Sequence, residues 1–121
     1  LDGYIALLPY LDAHSEKLCN LTGHPELIQD PRFLKPAMAY LEKVSSMLKP
    51  LQVENGGPVL MVQIENEYGS YGDDKEVLKA HRVAIRKGGL TGTLFTADPP
   101  PALKNGTLPD ITATVNFGND A

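Results

Sequence analysis

Cysteine is almost missing from this chain of 121 residues: Cys19 stands alone, tryptophan is absent, and aromatic residues reach only 7%. One thiol forms no internal disulfide and cannot assemble a thiolate zinc site, so neither staple holds this fold. Long hydrophobic runs are missing too. Nothing approaches the roughly 18 consecutive apolar residues of a membrane span, so no membrane span is expected. Basic residues are in deficit, with 11 Lys and Arg against 15 Asp and Glu and a net charge of -4. With a pI near 5.2 the chain has no basic stripe to meet phosphates, which argues against a general nucleic-acid binder. What is present is globular composition, 42% hydrophobic and 21% charged, in a length that suits one small domain. There is no internal repeat, and no low-complexity tract beyond Pro99-Pro100-Pro101.

The triplets Asn20-Leu21-Thr22 and Asn105-Gly106-Thr107 fit the N-glycosylation pattern and lean towards a secretory route. The sequence begins at Leu1 with no charged-then-apolar leader before it, so we expect a piece of a longer polypeptide or a processed product.

Hydrophobic patterning suggests an alternation of strands and helices. Gly3 to Tyr10 is mostly apolar and reads as a buried strand; Asp12 to Gln29 is irregular. Asp30-Pro31 looks like a helix start, because aspartate caps free amides and proline suits the first turn. Phe33, Ala37, Met38, Leu41, Val44 and Leu48 follow at three- and four-residue steps, one apolar stripe of an amphipathic helix. Pro36 inside it predicts a kink or a separate first turn. After the Asn55-Gly56-Gly57 turn, Pro58 to Ile64 is short and almost wholly apolar, the signature of a parallel strand covered on both faces. Asp73, with Glu76 three residues on, predicts a capped second helix with Val77, Leu78, His81, Ala84 and Ile85 inward and Gly88-Gly89 as its stop. Leu90 to Thr96 reads as a further strand ended by Asp98-Pro99, then a helical turn over Ala102 to Lys104. Ile111 to Phe117 reads as a last strand with Ile111, Ala113, Val115 and Phe117 on one face. The order predicts an α/β architecture with parallel strands, either an open doubly wound sheet or part of a (β/α)8 barrel.

The segment Gln63-Ile64-Glu65-Asn66-Glu67-Tyr68-Gly69-Ser70-Tyr71-Gly72 is where chemistry is expected. It falls at the C-terminal end of the best strand, where both architectures bind ligands. Strand alternation puts Gln63, Glu65 and Glu67 on one face and Asn66 on the other. The glutamates have three readings: solvated loop carboxylates, metal ligands without a histidine at ligand spacing, or one general acid/base whose pKa a neighbouring carboxylate raises. Spacing does not say which glutamate that would be. The Gly69 to Gly72 loop precedes a helix, but Asp73 and Asp74 would repel a phosphate and no P-loop lysine is present, so nucleotide binding is rejected. His81 reads as a core residue, His24 as solvated, and Cys19 has no evident base to activate it.

The run Gly56-Gly57-Pro58-Val59-Leu60-Met61-Val62-Gln63-Ile64-Glu65-Asn66-Glu67-Tyr68-Gly69-Ser70-Tyr71 resembles the signature of glycoside hydrolase family 35, the β-galactosidase family. Asp30-Pro31-Arg32-Phe33-Leu34, Leu94-Phe95-Thr96-Ala97-Asp98, Gly106-Thr107-Leu108-Pro109 and Ala113-Thr114-Val115-Asn116-Phe117-Gly118 extend the similarity over residues 30–118. The resemblance implies a partial (β/α)8 (TIM) barrel covering roughly its third to sixth strands, with residues 1–29 divergent. It implies a retaining glycosidase acting on β-galactosides without a cofactor or metal. Glu67 would be the proton donor and Asn66 would contact the sugar, leaving Glu65 in support. The family precedent adds a lean towards a lysosomal, vacuolar or secreted setting.

Pro9-Tyr10-Leu11-Asp12-Ala13-His14 loosely resembles the family's third-strand sugar-binding segment, which would make Asp12, Ala13 and His14 substrate contacts. His14 stands where the family has a glutamate, and the tryptophan expected after it is absent. A retaining mechanism also needs a nucleophilic carboxylate about 5 Å from the acid. In the family it sits on the seventh strand, and nothing here matches its motif. Two expectations follow: a fragment of a catalytic domain, inactive in isolation, or a shortened non-catalytic descendant that binds sugar or a protein partner.

Overall fold

The computed structural model describes residues 31–117, with side-chain environments from residue 35 onward. The expected strand over Gly3 to Tyr10, and Asp12, Ala13, His14, Cys19 and His24, lie outside the described residues.

Helix α1 spans Pro31–Leu48. Pro36 lies inside it without ending it, contrary to the expected separate turn. A proline in the second turn forfeits one hydrogen bond, and Pro36 is exposed, so its ring meets little besides its own helix. Two 3-10 turns, Lys49–Leu51 and Val53–Asn55, lead out of α1. Strand β1 follows at Met61–Asn66, helix α2 at Lys75–Lys87 and strand β2 at Thr93–Asp98. A 3-10 turn at Pro100–Ala102 and the short helix α3, Leu103–Gly106, lead to strand β3 at Thr112–Val115.

The three strands form one parallel sheet in the order β1-β2-β3. Each crossover carries helix, as parallel pairing requires a long return path. Ile64 of β1 and Leu94 of β2 point into the core with Val77, Leu78 and Ile85 of α2, joined by Tyr68, Leu90 and Leu108. The expected inner face of α2 is buried in full, including His81, whose Nδ1–H donates to the Val77 carbonyl at 2.8 Å. The helix is capped one residue later than expected: Asp74, not Asp73, accepts from the Glu76 amide, and Gly88 is the C-cap. Lys87 on α2 pairs with Glu42 on α1 at 2.9 Å.

The strands also begin later than their apolar runs. Pro58 has no N–H for a ladder, and Val59 forms an isolated parallel bridge with Gln52 before β1 begins. Leu90 is core rather than strand, because Arg86 Nη1 donates at 2.7 Å to both the Leu90 and Gly92 carbonyls and bends the chain between them. Two expectations of coverage fail among the described residues. Met61 is exposed on β1, and the face of β3 holding Ala113, Val115 and Phe117 is open, with Phe117 at 74% exposure.

One buried polar side chain ties the lower end of the sheet together. Gln52 Nε2 donates to the carbonyls of Lys49 (3.2 Å) and Gly89 (3.1 Å), and its Oε1 accepts from the amides of Thr91 (2.7 Å) and Gly92 (3.1 Å). It thereby joins the exit of α1 to the entry of β2. At the other end Lys75 Nζ donates to the carbonyls of Lys104, Asn105 and Thr107 at 2.7–2.8 Å, fastening α2 to the β2–β3 crossover. Replacing Gln52 by alanine strands two amides and a carbonyl in a buried corner, so a loss of about 2–4 kcal/mol is expected in urea denaturation. A loss below about 1 kcal/mol would show that water takes over those partners.

Candidate functional site

The upper rim is built from the ends of all three strands. The β1–β2 ladder pairs Met61 with Thr93, Val62 with Leu94 and Gln63 with Phe95, then shifts so that Asn66 pairs with Ala97. This bulge inserts one residue and reverses the alternation beyond it. The expected division, Gln63 with Glu67 on one face and Asn66 on the other, is therefore overturned: Gln63 Nε2 donates to Asn66 Oδ1 at 3.1 Å. Asn66 is exposed on the rim, whereas Glu65 is buried.

Glu67 is the first residue past β1 and the one described non-glycine residue with positive φ, at 56°. A glutamate in the left-handed region is uncommon and carries strain of the order of 1 kcal/mol, which the surroundings must hold in place. Its amide donates to the Ala97 carbonyl at 2.8 Å, and its carbonyl accepts from the Ser70 amide at 2.9 Å, starting the 3-10 turn Tyr68–Ser70. Its Oε1 accepts from Asn116 Nδ2 at 3.1 Å, just past the end of β3. Glu67 is half-buried.

Asp98 closes β2 and is fully buried. Its Oδ1 accepts from the Gly69 amide at 2.8 Å, so it anchors the turn that follows Glu67. The fit is close. A Cβ on Gly106 would lie 2.0–2.1 Å from the Asp98 carboxylate, and one on Gly69 would lie 2.1 Å from the Ala102 carbonyl. Burial pushes the Asp98 carboxyl above its ordinary value and the nearby Glu67 carboxylate adds to this; the Gly69 hydrogen bond and the Lys75 charge act in the opposite direction.

The geometry thus gathers Glu67, Asn66, Gln63, Asp98 and Asn116 at one end of the sheet. Asp98 and Asn116 were not singled out as site residues from the sequence. Asp98 looked only like a strand breaker before three prolines, and no local pattern tells which side chain from a strand some 50 residues on will meet Glu67. Among the described residues no three His, Cys, Asp or Glu side chains cluster as metal ligands would. No described helix is long and apolar enough to cross a membrane.

A carboxyl whose native pKa is raised stabilises the fold fully below its unfolded pKa and loses that contribution as pH rises through the native value. The unfolded reference for Asp98 is 3.8, so its contribution declines as pH rises from there towards the higher native value. Asp98→Asn is therefore expected to gain stability relative to the native chain as pH rises through that window, and then to hold a constant offset. Denaturation curves of the two proteins that stay parallel at every pH would refute the burial effect.

Comparison with known proteins bears on this rim directly. Residues 26–121 match the model of glycosyl hydrolases family 35. A β-galactosidase from Xanthomonas manihotis is 48% identical over 90 residues, covering 74% of this chain and 15% of that protein. A β-galactosidase from Mus musculus is 43% identical over 94 residues, 74% of this chain and 14% of that protein. The β-galactosidase-1-like protein 2 of Homo sapiens is 34% identical over 108 residues, 81% of this chain and 17% of that protein. The chain spans about 15% of the length of such curated relatives. The matched segment contains the whole described sheet and its rim, and the chain belongs to glycosyl hydrolases family 35.

Proposed function

We propose that this chain is a middle portion of a (β/α)8 catalytic domain in a retaining β-galactosidase-type glycosidase, with Glu67 as its general acid/base. The observation that carries the reading is Glu67 itself: a glutamate in a left-handed backbone conformation at the C-terminal end of a parallel strand, its carboxylate held by Asn116. In parallel α/β sheets that end is where substrates react, and strained non-glycine backbone concentrates at such sites.

In the first step a protonated Glu67 gives its proton to the glycosidic oxygen while a carboxylate from outside this chain attacks the anomeric carbon and the aglycone leaves. In the second, the Glu67 carboxylate takes a proton from water as that water attacks the glycosyl intermediate, releasing the sugar and restoring the acid. Asn66 serves as a sugar contact: its Oδ1 is occupied by Gln63, which leaves its amide hydrogens to donate to a hydroxyl. Asp12, Ala13 and His14 belong to the same proposal as further substrate contacts. The acceptor triplet at Asn105, whose side chain is exposed, fits a glycoprotein in a lysosomal, vacuolar or secreted setting.

In the longest native polypeptide carrying this chain, Glu67→Gln should lower turnover of an alkyl β-galactoside by about 10²–10⁴-fold, the usual contribution of a positioned acid/base. An aryl galactoside with a good leaving group should suffer less in the first step, because its departure needs little protonation. Unchanged turnover of the alkyl substrate overturns the assignment of Glu67. Mass spectrometry of the naturally expressed product tests the domain reading: a polypeptide several times 13.1 kDa is expected, and a native product of 13.1 kDa refutes it.

A further inference from the structure

We propose that Asn116 is a positioning residue for Glu67: its side-chain amide occupies Oε1, so that Oε2 is the oxygen that carries the exchangeable proton. This rests on the acid/base reading above and deepens it. The two residues come from strands that are not neighbours. Parallel strands lie about 4.8 Å apart, so the chain positions on β1 and β3 are separated by about twice that across β2. Ala97 of β2 pairs with Asn66 on one side and Thr114 on the other, so Glu67 and Asn116 both lie just past these paired positions, where their side chains can meet. The Nδ2 to Oε1 distance of 3.1 Å shows that they do.

Asn116 is itself held by the sheet. Its amide donates to the Asp98 carbonyl at 2.9 Å, which carries the β2–β3 ladder one residue past the Asp98–Val115 pair. Thr114, two residues earlier and on the same side of β3, donates from Oγ1 to the Thr96 carbonyl at 2.8 Å. The direction of the Asn116 side chain is therefore set by ladder hydrogen bonds rather than by a loop.

The chemical consequence lies in the balance of charge around Glu67. A donor on a carboxylate oxygen favours the ionised form. The charged neighbours are Asp98 at the end of β2, on which both Glu67 and Lys75 at the start of α2 act, and Glu65 on β1 itself. Residues 111–117 of the β3 segment contain no titratable side chain. Asn116 is thus a neutral donor on Glu67 Oε1, and it leaves Oε2 for the proton.

The experiment is a carbon-13 NMR titration of selectively labelled glutamate in the longest native polypeptide carrying this chain, with Glu67 assigned from the signal lost in Glu67→Gln. The Glu67 midpoint should rise by about half a unit to one unit in both Asn116→Ala and Asn116→Leu, which lose the donor without adding a charge. Asn116→Leu keeps the branched shape and the backbone bond to Asp98, so it reads the effect if the alanine variant misfolds. In that polypeptide without substitution the Asn116 amide protons should titrate with the same midpoint as Glu67, which needs no variant. An unshifted midpoint in a folded variant, or Asn116 amide signals indifferent to that titration, overturns the proposal. Full turnover in Glu67→Gln sinks the acid/base reading separately, because the titration does not depend on activity.

Discussion

The rim of this sheet depends on one buried carboxyl. Asp98 ends β2, accepts the Gly69 amide, and fills space that only a glycine at position 106 leaves open. Through these contacts it joins the turn after β1 to the crossover after β2. Lys75 reinforces the same junction from α2 by donating to three carbonyls of that crossover. A carboxyl with no exposure is costly to ionise, so burial pushes its pKa up while the Gly69 amide bond acts the other way. If it moved, the Tyr68–Ser70 turn would lose its anchor, and with it the constraint on the residue just before.

That residue is Glu67, whose strained backbone and carboxylate are held from three directions. The bulge in β1 re-aims everything beyond Gln63, the Ala97 carbonyl fixes the Glu67 amide, and Asn116 fixes the carboxylate. Each of the three strands contributes one constraint. The chain belongs to glycosyl hydrolases family 35.

Much of the architecture was legible from local pattern. The inner face of α2 follows from residues at 3.6 periodicity, and every one of Val77, Leu78, His81, Ala84 and Ile85 is buried. The parallel sheet follows from short apolar runs separated by helix-length connections. The boundaries were less legible. Val59 and Leu90 have strand-like side chains, yet Pro58 lacks a donor and Arg86 pinches the chain beyond Leu90, so pairing begins later in both cases. The cap moved from Asp73 to Asp74 because both are good caps and only the local backbone chooses between them.

By itself the order of residues determined the α/β class, the helix faces, the position of Glu67 at the end of a strand, and a family likeness. Those properties are local: periodicity, capping and turn chemistry act over a few residues, and a motif is read in one stretch. Only the tertiary structure decided that Asn66 turns to the side of Gln63, that Asp98 is an anchor and not merely a strand end, and that Asn116 reaches Glu67. Those outcomes depend on register between strands and on the space left by neighbours distant in sequence. A single inserted residue in a ladder reverses which side chains share a face, and nothing local announces it.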